Sequence, residues 1–414
     1  MRVLVAGGLA GSLIGFRGPL LQALRRHEHV VAGCAAEDDR VVSEHLAEWG
    51  IAYHTVPLRR AGLNPWSDRA YCRALRQIMR RERPDVVLAY THKPVVYSAV
   101  AAAGIAIAER PRVFAMITGL GFAFIDGGGL KKKIASGVLR FLYRRASRHF
   151  CGVIFQNPDD QALFRKLGLL RPDTPQIVVR GSGIDLEQFA FAPLDAISRP
   201  RFLLIARLLG DKGIREYVEA ARIIKKRYPA AEFHLVGPTD PNPAAIKLTE
   251  VEAWQNEGVI AYHGAQADVR PFLRECTVYV LPSYREGTPR TVLEAMAIGR
   301  AVITTDAPGC KETIFDAWTA SSEGVREGKN GLLVPVKSVE ALVSAMSRFI
   351  VDSTLASKMG CEGRRLVQEH YDAHKVNEKI MEFLELAPQS GASKLGVETG
   401  KSGIREAGRP ASEA

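Results

Sequence analysis

Apolar and polar positions along the chain alternate between two periods, and the alternation runs through the sequence twice. Short continuous apolar runs at 2–7, 29–35, 52–58, 85–90, 111–119 and 152–157 read as strands buried on both faces. Between them, segments 16–26, 39–50, 68–84, 130–148 and 158–168 place apolar residues at helical spacing. The pattern restarts with strands at 201–207, 231–237, 259–264, 278–283 and 301–307, joined by helices at 213–229, up to 257, 269–276 and 289–299. After an apolar run at 331–335, helices are predicted over 338–350 and 354–371. Strand and crossover helix in alternation specify an α/β fold of parallel sheets covered on both faces. The expected organisation is a doubly wound Rossmann-like domain over 1–190, a second over 191–370, and a C-terminal helix over 371–387 that returns toward the first domain. Residues 388–414 lack aromatic side chains, are rich in Gly, Ser, Ala and Glu, and read as a disordered tail. Open sheets of this kind bind ligands at the carboxyl ends of their strands, so two of them imply a cleft.

The most informative chemistry lies at one such strand end. Glu286 and Glu294 stand eight positions apart, between the 278–283 strand and a helix expected to begin near Thr288 or Pro289. That start leaves Glu286 in the loop and Glu294 inside the second turn, and a first-turn proline needs no intrahelical donor. Two carboxylates for sugar hydroxyls beside free backbone N–H groups for phosphate make a candidate nucleotide-sugar site with Gly287, Thr288, Pro289 and Arg290. Glutamates around a helix start are also common as solvated residues, but Leu293, Ala295 and Met296 flank Glu294, and a carboxylate in an apolar setting needs a partner. Arg207 and Lys212 follow the 201–207 strand and could neutralise a diphosphate, the first as a fork and the second as a point charge.

In the first half, Gly7, Gly8 and Gly11 follow the first strand and allow close approach of backbone to a ligand. The order GxGxxG is absent, as is the P-loop order GxxxxGK[ST], which argues against dinucleotide binding and P-loop hydrolysis. His92 and Lys93 follow the 85–90 strand; a histidine there is either a structural residue or a contact to a transferred sugar, and Lys93 is a candidate contact to the acceptor. Gly119 and Gly121 suit an acceptor loop, and Asp126 is either a contact to an acceptor hydroxyl or a turn cap. Asp38–Asp39 and Asp159–Asp160 read as helix starts rather than a metal pair.

Charge changes the picture in one place. Residues 1–190 hold 27 Lys+Arg against 16 Asp+Glu, whereas the remainder holds 29 of each, so the net charge of +11 belongs to the first half. Basic residues gather at 76–84, 131–133 and 140–149, and the middle cluster follows the segment that carries Phe122, Phe124 and Ile125. Basic beside apolar suits an anionic lipid surface, and no zinc-finger or RNA-binding motif supports nucleic acid as partner. Six scattered cysteines without a CxxC pair point to reduced thiols, and no run reaches the length of a membrane span.

Over about residues 1–385 the chain resembles family 4 glycosyltransferases of the GT-B architecture, on the Glu286/Glu294 spacing, the Arg207/Lys212 pair, the 181–185 segment and the early glycine loop. Segments 91–94, 117–124 and 155–160 are similar to those of bacterial transferases that extend a sugar on an undecaprenyl-diphosphate carrier, including N-acetylgalactosaminyl transferases. The resemblance implies a retaining hexosyltransferase that uses a UDP-sugar without a metal or other cofactor, on the inner face of the plasma membrane. It implies that Glu294 holds the ribose, Arg207 and Lys212 the diphosphate, and Glu286 the donated sugar, while Gly8 closes from the first domain and His92 contacts the sugar near C6. Family members commonly begin the 181–185 segment with Asn, where this chain has Gly181. A peripheral membrane scaffold with a vestigial cleft and a UDP-sugar epimerase of the same shape stay open on sequence grounds.

Overall fold

Val3, Leu4, Val5 and Ala6 are all buried, alternate side chains entering opposite layers, which only a sheet covered on both faces can satisfy. The computed structural model describes residues 1–387 apart from 60–63, 121–129, 195–198, 241, 243, 244, 318, 321 and 322. The first domain runs β1 (Arg2–Ala6), α1 (Ala10–Gly15), α2 (Gly18–Arg26), β2 (Val30–Ala35), α3 (Arg40–Glu48), β3 (Ala52–Thr55), α4 (Pro65–Glu82), β4 (Val86–Tyr90), α5 (His92–Ala103), β5 (Arg112–Ile117), α6 (Leu130–Ala146), β6 (Phe150–Phe155), α7 (Pro158–Lys166) and β7 (Gln176–Val178). Its sheet has the order β3-β2-β1-β4-β5-β6-β7, and each neighbouring pair is parallel.

The second domain runs β8 (Arg201–Ile205), α8 (Ile214–Arg227), β9 (Glu232–Val236), α9 (Leu248–Asn256), β10 (Ala261–Tyr262), α10 (Arg270–Glu275), β11 (Val278–Leu281), α11 (Arg290–Ile298), β12 (Ala301–Thr305), β13 (Thr319–Ala320), β14 (Arg326–Glu327), β15 (Gly331–Val334), α12 (Val339–Val351) and α13 (Leu355–His370), before α14 (Ala373–Phe383) closes the described chain. The order β10-β9-β8-β11-β12-β15-β14-β13 is parallel except for its last two strands. Two doubly wound α/β domains therefore face a cleft at the carboxyl ends of β1, β4, β8 and β11.

The boundaries follow local chemistry. Asn64 accepts from the N–H groups of Trp66 and Ser67, and Pro65 opens α4, so this helix begins ahead of the expected position 68. Asp39, Asn157, Ser338 and Asp372 cap α3, α7, α12 and α14 in the same way. The stretch expected to be a glycine loop is partly helix: Gly11 lies inside α1, while Gly7 and Gly8 form the turn before it.

The last helix docks on the first domain. Val376, Ile380 and Met381 of α14 share a cluster with Leu20, Leu21 and Leu24 of α2 and with Val3 and Val5 of β1. His29 Nε2 meets the Leu386 carbonyl at 2.8 Å, and Arg112 donates to the Leu384 carbonyl at 3.3 Å. Ile380 is fully buried. Its truncation to Ala is expected to cost roughly 2–5 kcal/mol, read as a lower urea midpoint in equilibrium unfolding; an unchanged midpoint would show that α14 adds nothing to the first domain.

Candidate functional site at the domain cleft

The segment from Pro282 to Pro289 leaves β11 and turns into α11, with Pro289 at the N-cap in extended conformation. Helical spacing from Arg290 puts Glu294 one turn in, where it is buried and takes a hydrogen bond from Arg290 Nε at 2.9 Å. Burial raises the Glu294 pKa, and the Arg290 guanidinium opposes the shift. Glu286 sits in the loop with its Oε1 2.5 Å from Lys212 Nζ, both side chains largely covered. Arg207, half-exposed, holds Asp240 at 2.6 Å. The structure thus brings Arg207, Lys212, Glu286, Arg290 and Glu294 to one end of the second sheet, each with an opposite charge beside it.

The loop is clamped from the first domain. A Cβ on Gly287 would lie 2.3 Å from the Thr118 carbonyl oxygen and 2.7 Å from Gln156 Oε1, so no larger residue fits. Gly119 faces it with φ +116, and a Cβ there would meet Gly287 N at 2.9 Å. Asn157 Nδ2 donates to the Gly287 carbonyl at 2.8 Å, and the Thr288 hydroxyl donates to the Gln156 carbonyl at 2.9 Å. Arg285 pairs with the buried Asp160, and Lys311 holds Asp159 at 2.7 Å. Arg290 also donates to the Gly15 carbonyl and stacks over Phe16, with 5.3 Å to the ring centroid.

The first-domain residues expected at the site divide. Gly8 is buried at the end of β1, where a Cβ would stand 3.0 Å from Thr91 Oγ1. Thr91 itself has φ 68 and ψ 157, a costly conformation for a β-branched residue, held at the cleft end of β4. His92 is engaged on both ring nitrogens: Nδ1 meets Tyr143 Oη at 2.8 Å and Nε2 meets the Leu120 carbonyl at 3.2 Å. A carbonyl can only accept, so Nε2 carries the proton and Nδ1 accepts from the tyrosine. Burial lowers the His92 pKa and the Leu120 carbonyl opposes it, so the ring positions the 118–120 loop as a neutral group. A contact from His92 to a transferred sugar would require one of these two bonds to be exchanged.

Lys93 is likewise paired, with Asp68 at 2.7 Å, and Tyr97 donates to the other carboxylate oxygen at 2.9 Å. Gly121 and Asp126 lie outside the described residues, as do Phe122, Phe124 and Ile125. Among the described residues no group of three His, Cys, Asp or Glu side chains could hold a metal ion. Sequence reasoning missed Thr118, Gln156, Asn157, Arg285 and Lys311 as cleft residues. Asn157 and the acidic pair after it carried a local signal, a helix cap, which conceals their second role across the cleft.

Residues 18–181 match the family described as glycosyl transferase 4-like domain, and residues 199–352 match the family described as glycosyl transferases group 1. The chain is a glycosyltransferase with the GT-B fold. It is 29% identical over 367 residues, 86% of this chain and 91% of the relative, to the N,N'-diacetylbacillosaminyl-diphospho-undecaprenol alpha-1,3-N-acetylgalactosaminyltransferase of Campylobacter jejuni. Among solved structures, HepE of Anabaena in complex with UDP-glucose superposes with a TM-score of 0.71 at 18% identity, covering 94% of this chain and all of that one (100%). Sucrose-phosphate synthase of Thermosynechococcus elongatus gives 0.74 at 18% identity, covering 93% and 98%. The GT-B fold places Glu286 and Glu294 of this glycosyltransferase on the second domain's wall of the cleft, with the Gly8 turn and the 118–120 loop opposite.

Two predictions follow from the clamp. Gly287→Ala is expected to lower turnover by about a hundredfold or more, because a 1 Å displacement of the Glu286 loop is enough for such a loss; turnover near the parent level would show that the loops need no contact. Burial pushes the half-buried Glu312 up to about 7, with Asp159 adding to the rise and backbone N–H groups of Glu312 and Gly309, together with Lys311, opposing it. A carboxyl raised in the folded state stabilises it at low pH and loses that contribution as pH climbs through the folded value. The gain in melting temperature of Glu312→Gln over the parent should therefore grow between about pH 5 and about pH 8 and then level. A pH-independent difference would remove Glu312 from the titrating groups.

Proposed function

We propose that this glycosyltransferase moves a hexose or N-acetylhexosamine, with UDP-GalNAc favoured, from a UDP-sugar to an undecaprenyl-diphosphate-linked sugar, with retention of configuration, in bacterial surface glycan synthesis. The carrying observation is that Glu286 and Glu294 flank the start of α11 on one wall of the cleft, with Lys212 at 2.5 Å from Glu286. Glu294 takes the ribose hydroxyls and Glu286 a hydroxyl of the donated sugar. Arg207 and Lys212 take the diphosphate and stabilise charge that develops on the leaving group. The leaving diphosphate can accept the proton of the incoming hydroxyl, so the reading requires no dedicated protein base and no metal.

The acceptor class is supported by the Campylobacter enzyme, whose name specifies a diphospho-undecaprenol substrate and an N-acetylgalactosaminyl group, and which spans 86% of this chain. The donor class is supported by the fold shared with HepE, which was solved with UDP-glucose. Work on a lipid-linked acceptor places the enzyme at the inner face of the plasma membrane. Among the described residues no helix is long and apolar enough to cross it.

Turnover of a panel of UDP- and GDP-sugars, with membrane extract containing undecaprenyl-diphosphate sugars and with EDTA present, tests this directly. One UDP-sugar should be incorporated into lipid, and Glu294→Ala should abolish the incorporation while the protein stays folded. No incorporation from any donor would overturn the reading.

A further inference from the structure

Among the described residues, none covers the face that α6 turns to solvent. Ser136, Tyr143 and Ala146 are buried, with Leu139 and Leu142 packed beside them against the first domain's core. On the opposite side Ile134, Val138 and Phe141 are exposed by 55%, 37% and 62%, at positions i, i+4 and i+7, so they form one line rather than scattered apolar residues. The same line continues into Arg145 and Arg148, both exposed, with Lys133 exposed at its other end.

The segment itself is free of acid: residues 127–158 contain seven Lys and Arg and no Asp or Glu. Among the described residues, Lys133, Arg145 and Arg148 form no ion pair, although carboxylates neutralise cations across much of the remaining surface. His149 shows how one-sided the charge is, since Arg110, Arg145, Arg148 and Arg171 all act on it with the same sign.

Direction along the helix matters as well. α6 follows the carboxyl end of β5, whose next residues touch the Glu286 loop, so Lys133 and the apolar positions lie toward the cleft end, and Arg145 and Arg148 away from it. From Ile134 to Arg145 the line runs about 16 Å at 1.5 Å per residue, and Arg148 lies in the short 3-10 turn Ser147–His149 that follows α6. An apolar strip that ends in unpaired cations suits an interface where hydrocarbon lies beside anionic headgroups.

We propose that this face of α6 docks the first domain on an anionic phospholipid bilayer and sets the mouth of the cleft at the level of the headgroups. The proposal rests on the reading that the acceptor is lipid-linked, and it assigns the surface that brings enzyme and acceptor together.

Sedimentation of the full chain with phosphatidylcholine vesicles, with and without phosphatidylglycerol, tests it. Binding is expected only with the anionic lipid and should fall as salt rises. Arg145→Gln and Arg148→Gln should each weaken the partition coefficient about fivefold, and Ile134→Ser with Phe141→Ser about tenfold or more, with thermal melting unchanged because these side chains are exposed. Equal binding to neutral vesicles, or variants that bind as the parent does, would overturn the proposal. So would a change of oligomeric state in the Ile134→Ser, Phe141→Ser variant, which would show that a second copy covers the face.

Turnover separates this proposal from the functional reading. On a short-chain, water-soluble acceptor the variants should match the parent, whereas on acceptor embedded in vesicles they should lose the factor seen in sedimentation. Vesicle binding without transfer to any lipid-linked acceptor would sink the functional reading and leave the surface. Transfer with no vesicle binding would do the reverse.

Discussion

Two stretches of backbone meet across the cleft with no side chain between them, and the position of every candidate ligand contact depends on that meeting. At Gly119 and Gly287 the chains approach so closely that a single Cβ on either would overlap backbone of the other. Contact of that kind leaves carbonyls that must be satisfied without water, and the Asn157 amide does so at Gly287. Because Glu286 precedes Gly287, the contact fixes the carboxylate relative to the first domain rather than only to its own. A cleft whose walls met through long flexible side chains would hold Glu286 less closely.

The charges around this contact have a different task. Asp160 is fully buried and Arg285 nearly so, and a pair of this kind gains little over an apolar substitute because both ions lose their hydration. Breaking it is costly, since one charge would remain buried alone. Such a pair disfavours other relative positions of the two domains more than it stabilises this one. Lys311 with Asp159, and Arg290 with the Gly15 carbonyl, add further contacts of the same character on either side of the loop. The α14 helix makes the arrangement continuous, because the chain leaves the second domain only to pack on α2.

The strands and most helices were legible in the sequence because a parallel sheet covered on both faces demands short apolar runs between turns; the longer apolar run 95–108 was assigned no element and is mostly helix α5. Where the signal was short or overwritten, it failed. Helix α1 lies in a stretch dominated by glycine, and β7 has three residues directly after a proline. At the site, the places of Glu286 in the loop and Glu294 in the helix were legible because strand, loop and helix are contiguous. The partners of His92 and Lys93 were not, since they depend on what the fold brings to face them. Tyr143, the Leu120 carbonyl and Asp68 are brought there by the fold from 51, 28 and 25 positions away. Gly287 is the extreme case: its neighbours in space belong to the other domain, and a lone glycine in a loop carries no mark of them.

The ion pairs of the cleft set the order of events in the proposed reaction. Lys212 and Arg207 cannot meet a diphosphate with their full charge while Glu286 and Asp240 hold them. A diphosphate carries more negative charge than the carboxylate it displaces and presents several oxygens to each cation, so the exchange is favourable in a partly covered site where attraction is weakly screened. Once Lys212 turns to the phosphate, Glu286 loses its partner and becomes an acceptor for a hydroxyl, the group that a donated sugar brings on the same molecule. UDP alone would free Glu286 without giving it a hydroxyl, leaving a largely covered carboxylate unpaired, which is unfavourable. The intact UDP-sugar satisfies both ends together. In the proposed reaction, discrimination between donor and spent nucleotide would therefore rest on one 2.5 Å contact, at the residue that Gly287 and Gly119 hold in place.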